Sequence, residues 1–258
     1  MFVAGMAVFA PLLAPYHPTE DANILYSEEP PCEQFWFGTD IQGRDILSRV
    51  IYGSRISLSV GLFTQFMNSV IGIFMGLMAG YFGKWIDDLI MSITNILLSI
   101  PTLVFALAVM ALMGPGLINV FIALGVTNWS YTCRLTRSQV LSAKRLNYVM
   151  AARALGYGKF RIMFNQILPN IMGPILVIST LGVAGAILLE AALSFLGLGV
   201  QPPTPSWGGM LAGAREKLFT APWISIYPGM AIFLTVLGLN LFGDGLRDLL
   251  DPHITQQK

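Results

Sequence analysis

Long apolar runs alternate with short polar segments along this chain. Runs of spanning length fall at about 55–80, 86–113, 116–137, 170–200 and 226–246. A helix needs roughly 20 apolar residues to cross the hydrocarbon core of a bilayer, so the pattern predicts five membrane helices. The start, "MFVAGMAVFAPLLAPYHP", is a shorter apolar stretch with no positive leader, broken by Pro11 and Pro15. It reads as the end of one more spanning helix whose beginning is missing, rather than as a signal peptide. An all-α membrane protein of about six spans is expected, with no fixed-period repeat and no low-complexity tract. Residues 1–54 hold the first helix and an outer segment, 55–250 the membrane body, and 251–258 a cytoplasmic tail.

The polar segments set the orientation. Arg134, Arg137, Lys144, Arg145, Arg153, Lys159 and Arg161 crowd one region, and no acid occurs between Asp88 and Glu190. Cytoplasmic loops of membrane proteins carry the excess of Lys and Arg, so 138–169 is expected inside. Six spans then put both termini and 81–85 inside, and 17–54 and 201–225 outside. Composition agrees: 55% of residues are hydrophobic and 11% charged, against about 25% charged in soluble domains. A net charge of +1 gives no reason to expect nucleic acid. In this topology Cys32 lies outside and Cys133 within or at the inner end of a helix, so they should not pair. His17 and His253 lie at opposite ends, so no zinc site of ordinary spacing is expected.

Polar groups inside the apolar runs are the next signal. The 116–137 run turns polar at Thr127, Asn128, Ser130, Tyr131 and Thr132, which should therefore face protein or water. Asn128 and Tyr131 are candidates for a transport pathway, with interhelical hydrogen bonding as the alternative. Glu190, in "AILLEAALSFLGLG", is a third candidate. It is also open to a plainer role as a partly hydrated, paired structural acid near the outer end of its helix.

The stretch "YVMAARALGYGKFRIMFNQILPN" interrupts the apolar body with a basic, amphipathic insert. Residues 147–155 favour helix, and Gly156 should end it in the left-handed conformation. A second short helix is expected over about 158–167, with Phe160, Met163, Phe164 and Ile167 on one apolar face. Pro169 should break it from the next span. Ala151, Ala152 and Ala154 make the first helix thin. A thin helix fits a groove of another protein, or rests on anionic lipid; composition leaves both open.

"AARALGYGKFRIMFNQILPN" resembles the EAA loop of bacterial ABC-importer permeases through Ala151, Ala152, Gly156, Leu168 and Pro169. Met150 stands where that motif has Glu, and Gln166 where it prefers Ile. Three more stretches, "FGTDIQGRDILSRVIYGSRISL", "LSFLGLGVQPPTPSWGGML" and "NLFGDGLRDLLDPH", are similar to the C-type permease of the dipeptide/oligopeptide/nickel group. The resemblance implies a permease fold in a bacterial inner membrane. It implies a second permease subunit as heterodimer partner, two ATP-binding subunits and an extracellular substrate-binding protein. Ala151, Ala152, Arg153, Gly156, Leu168 and Pro169 would couple to the ATPases. Asp40, Gly43, Arg44 and Asp45 would serve outer docking or gating; the plainer alternative for the same stretch has Asp40 capping a short outer helix in which Asp45 faces Arg49. No catalytic residue, metal or cofactor is implied, and "GYGKF" is not a phosphate-binding loop. ATP hydrolysis is expected on the partners. Peptide is the first expectation for cargo and nickel or a nickel chelate the second; a secondary transporter is the rival from another class, and lacks the paired halves it would need.

Overall fold

The computed structural model describes residues 2–250. The tail expected at 251–258, with Pro252 and His253, lies outside the described residues. Among the described residues the chain is helical, with one isolated bridge, Thr39 to Asp45, and no strand.

Two short helices, α1 (Phe2–Val8) and α2 (Ala10–Leu13), replace the single span expected at the start. Pro11 sits in the first turn of α2, where its missing N–H is tolerated. After an irregular segment comes α3 (Ile46–Phe82), a 37-residue helix. The short outer helix and the run at 55–80 are therefore one element, since no proline intervenes between them. The expected helix 86–113 is two, α4 (Lys84–Ser99) and α5 (Thr102–Met113), bent by 91°. Pro101 is the cause: it forces Ile100 out of the helical region to φ −99°, ψ 128°. The run at 116–137 also divides, into α6 (Leu117–Thr127) and α7 (Trp129–Ala143), so that the polar half becomes a helix of its own.

The amphipathic insert begins with α8 (Asn147–Ala154). Its second half does not stop at Pro169. Helix α9 (Lys159–Arg161), a π-helical turn (Ile162–Ile167) and α10 (Leu168–Phe195) run on as one continuous helix, Lys159–Phe195. Leu168 N–H reaches five residues back to the Met163 carbonyl. That widened turn is the kind of irregularity by which a helix accommodates a proline. The segment 201–225, expected outside, contains a further helix, α11 (Trp207–Gly213), capped by Ser206, whose hydroxyl accepts from Gly209 N–H. The last helix is α12 (Trp223–Leu250). Three helices, α3, α9–α10 and α12, are each long and apolar enough to cross a membrane, and the bent α4–α5 pair makes a fourth when counted as one.

The chain divides into two compact units. The first contains the segments up to Thr64, Ala106–Leu124 and Val183–Leu239. Its core gathers Val183, Ile187, Ala191 and Ile232 around the fully buried Trp207, whose indole N–H donates to Val50 O at 2.9 Å. The second contains Gln65–Phe105, Gly125–Gly182 and the chain from Asn240. There α3 presents Gly72, Gly76 and Gly80 to α7. A methyl at Gly76 would sit 2.6 Å from both Cys133 O and Thr136 Cβ, and one at Gly80 2.7 Å from Val140 Cβ. Glycine at every fourth position lets the two backbones approach, as it does in membrane helix pairs generally.

Candidate functional site

The amphipathic insert is built onto the end of α3. Val149 and Ala152 of α8 bury into a cluster with Leu77, Val140, Ile162, Met163 and Ile167. Lys144 closes the preceding turn by donating to Gly80 O and Tyr81 O, both at 3.0 Å, which satisfies carbonyls left open at the C-terminus of α3. Burial, and after it the neighbouring Arg153, lowers the Lys144 pKa below the ordinary lysine value. Burial also raises that of Tyr148. Arg153 lies over the Tyr81 ring, Lys159 over Phe82 and Arg161 over Tyr157.

Gly156 ends α8 at φ +77°, the left-handed conformation expected of it. Its N–H donates to Arg153 O, and Tyr157 N–H reaches back to Ala152 O at 3.1 Å. This pair of bonds is the Schellman arrangement, which uses carbonyls that the helix end would otherwise leave bare. A methyl at Gly156 would meet open space, so the glycine is required by backbone conformation alone.

The anchored face leaves the other face bare. Ala151, Arg153 and Gly156 are exposed, Ala152 is buried, Leu168 is half-buried and Pro169 exposed. Met150, Leu155 (73% exposed) and Phe160 join Ala151 in an uncovered apolar surface. The single stripe expected of Phe160, Met163, Phe164 and Ile167 is split. Met163 and Ile167 are buried, with Ile162, while Phe160 and Phe164 face outward. The sequence shows both i, i+4 pairs, but not which of them the π-helical turn rotates inward.

The outer candidates form a compact ionic turn. Asp40 caps no helix. Its Oδ1 accepts from Gln42 N–H and Arg44 N–H, and its Oδ2 accepts from Arg44 Nε and Nη2, each at 2.7 Å. The N-cap of α3 is Asp45, whose Oδ2 accepts from Ser48 N–H at 2.7 Å and from Ser48 Oγ. Arg49 approaches Asp40, not Asp45, at 3.5 Å, and donates to Pro18 O. Gly43 has φ +69°, and a side chain there would collide with the Asn23 carbonyl.

The pathway candidates fall in different compact units, Asn128 and Tyr131 in the second and Glu190 in the first. Asn128 is half-buried at the α6–α7 junction and makes no cap bond with its side chain; Tyr131 is exposed one turn on. Glu190 is 0% exposed, and among the described residues it has no ion-pair partner. Ser194 Oγ donates to it at 2.7 Å and Ser57 Oγ approaches at 3.5 Å, while Ser57 Oγ also accepts from Trp207 N–H. Hydroxyl groups of Ser57 and Ser194, together with that of Ser206, enclose this acid. A second feature that sequence reasoning passed over is the bidentate pair between Arg137 of α7 and Asp87 of α4. The glycine ladder on α3 was visible, in "IGIFMGLMAG", as a four-residue period.

A family model described as "Binding-protein-dependent transport system inner membrane component" matches residues 72–256. The chain belongs to that family. It is 47% identical, over 96% of its length and 82% of the relative's, to the dipeptide transport system permease protein DppC of Alkalihalophilus pseudofirmus. It is 45% identical, over 98% and 86%, to the di/tripeptide permease DppC of Pseudomonas aeruginosa. Against the glutathione transport system permease protein GsiD of Pectobacterium atrosepticum the identity is 41%, over 98% and 84%. The fold is that of ABC-importer permeases. The inward-facing MetNI methionine transporter gives a TM-score of 0.64 at 17% identity, covering 80% of this chain and 98% of that one. As an inner membrane component of a binding-protein-dependent system, this family member is a transport permease that works with a substrate-binding protein and ATPase partners.

Proposed function

We propose that this permease carries di- and oligopeptides, and that it does so as one half of a heterodimer with a second permease on two ATPase subunits. The observation that carries the coupling role is the geometry of α8. The helix is fixed by its buried face to the end of α3 and leaves Met150, Ala151, Leu155 and Phe160 uncovered beside exposed arginines. A surface so anchored and so apolar suits the groove of a partner better than solvent. The names of the peptide-transporting relatives support the cargo.

In this account α3, α4–α5, α6–α7, α9–α10 and α12 cross the membrane in turn, with α1–α2 contributing to a sixth crossing. Both termini and 138–169 are inside, and 17–54 and 201–225 outside. ATP binding closes the two ATPases and moves α8. Because α8 shares a packed cluster with α3, α7 and the start of the α9–α10 helix, that displacement passes to the membrane body as a rigid-body shift. The pathway then opens outward to receive peptide from the binding protein. Asn128 and Tyr131 remain candidates for its wall; Glu190, enclosed by hydroxyls, is assigned to holding α3 and α10 together.

The test is reconstitution. Proteoliposomes with both permeases and both ATPases, given the cognate binding protein, should accumulate labelled dipeptide only when ATP is supplied inside. Uptake of nickel in preference to dipeptide, or uptake without ATP, would contradict the proposal.

A further inference from the structure

Between α7, the first half of α10 and the last turns of α12 lies a cavity of about 760 Å³. All its lining residues belong to the second compact unit. The walls are mainly apolar, with Leu135, Ile178 and Leu181 among them, and among the described residues Asp244 and Arg247 are the only charged groups that line it. Both are exposed, and neither side chain has an ion-pair or hydrogen-bond partner among the described residues. Asp248, next in the chain, is not part of the lining. Asn170 and Pro174 are. Pro174 lies inside α10 and has no N–H to give the Asn170 carbonyl four residues back, so the wall formed by α10 carries an open acceptor.

A largely apolar cavity of this size with a few polar groups has the form of a small-molecule site. Its two unpaired charges are of opposite sign, so a ligand with a single charge would leave one of them unmet. They stand three residues apart on one helix, which brings the roots of their side chains within about 6 Å. The two ends of an extended dipeptide are about 7 Å apart. We infer that this cavity holds the zwitterionic backbone of a short peptide, with its ammonium on Asp244, its carboxylate on Arg247 and its N–H toward the Asn170 carbonyl. The apolar walls take the side chains without selecting among them. That the ligand is a peptide rests on the cargo proposed above. An inner-leaflet phospholipid fits less well. A methyl at Gly243 would sit 2.9 Å from Leu181 and one at Gly173 3.7 Å from Leu250, so α10 and α12 run antiparallel and Asp244 is at the end of the cavity away from Asn170. In the orientation proposed above that end is the deeper one, where a lipid would bring its acyl chains and not its charged head.

Equilibrium binding to the assembled, nucleotide-free transporter in lipid nanodiscs, with no binding protein present, tests this. The probes are alanyl-alanine, N-acetyl-alanyl-alanine and alanyl-alanine amide. The wild type should bind alanyl-alanine about tenfold or more tightly than either blocked peptide, the loss expected for one charge-assisted hydrogen bond. Asp244→Asn should abolish the preference for a free ammonium and keep that for a free carboxylate, and Arg247→Gln should do the converse. A merely structural role for these residues would not pair each variant with one terminus. Ile178→Trp, which fills the cavity and leaves both charges in place, should abolish binding; it decides the matter where a charge variant does not assemble. Absence of alanyl-alanine binding to the wild type would overturn the inference. So would selectivity that is unchanged in variants retaining their ATPases and melting temperature, or a co-purifying phospholipid that is lost in Arg247→Gln while peptide selectivity stays the same. Failure of the wild-type proteoliposomes to accumulate dipeptide would instead remove the cargo proposal and leave the binding measurement standing.

Discussion

At the residue scale, Gly156 and Glu190 make different demands on their surroundings. Gly156 has space for a side chain but not the backbone angle for one. Gly156→Val should therefore destabilise the end of α8 by roughly 1 kcal/mol or more, without any clash. The expected result is normal membrane abundance, weak co-purification of the ATPases and little transport. Asparagine tolerates the left-handed region better than other side chains, so Gly156→Asn should retain more ATPase than Gly156→Val. Equal retention by both would mean that the conformation of this residue does not set the helix end. Glu190 has the opposite problem, since its environment is fully enclosed. Glu190→Ala should lower stability by about 1–3 kcal/mol, because it leaves buried serine hydroxyls without their acceptor. Glu190→Gln keeps one acceptor oxygen and should lose less. Melting of the detergent-purified complex compares the two.

At the element scale, the glycine ladder decides whether α3 and α7 can pack. The backbone of α7 lies against Gly76, and backbone cannot move aside as a flexible side chain can. Gly76→Ala should destabilise the complex by about 1–3 kcal/mol, as overpacking usually does, whereas Gly185→Ala, where a methyl meets nothing within 4 Å, should be tolerated. A thermal-shift comparison in which both variants melt with the wild type would refute this packing. Helices were legible in the sequence wherever hydrophobicity was sustained, and so was the end of α8 at Gly156; the breaks within the apolar runs were not. The 91° bend follows from Pro101, a local signal that the apolar run concealed. Pro169 carries the same signal, yet the helix continues, because the π-helical turn before it shifts the hydrogen-bond register. One proline breaks a helix and another does not, and the difference lies in the backbone geometry before it rather than in residue type.

At the scale of the whole molecule, the motifs of the outer segment and the insert pointed to the right family, while the roles of single charges were misassigned. Asp40 and Asp45 exchange the parts expected of them. Spacing alone puts either aspartate within reach of a helix start, and the turn at Gly43 selects Asp45. The basic insert is the ground for the orientation proposed above. A cysteine placed at the exposed Ser142 should resist a membrane-impermeant thiol reagent added from outside in whole cells, whereas the exposed Cys32 should react. Outside labelling at 142 would reverse the topology.

The central claim is that the bare face of α8 is occupied by an ATPase subunit. A cysteine in place of the exposed Ala151, in a Cys32→Ser background where the remaining Cys133 is buried, tests it by short-range crosslinking in membranes that contain the whole transporter. The account expects a crosslinked product of this permease with an ATPase subunit, lost when the ATPases are not co-expressed and weakened by Gly156→Val. Efficient modification of the same cysteine by a lipid-soluble reagent, with no ATPase adduct under conditions where the complex is intact, would contradict it.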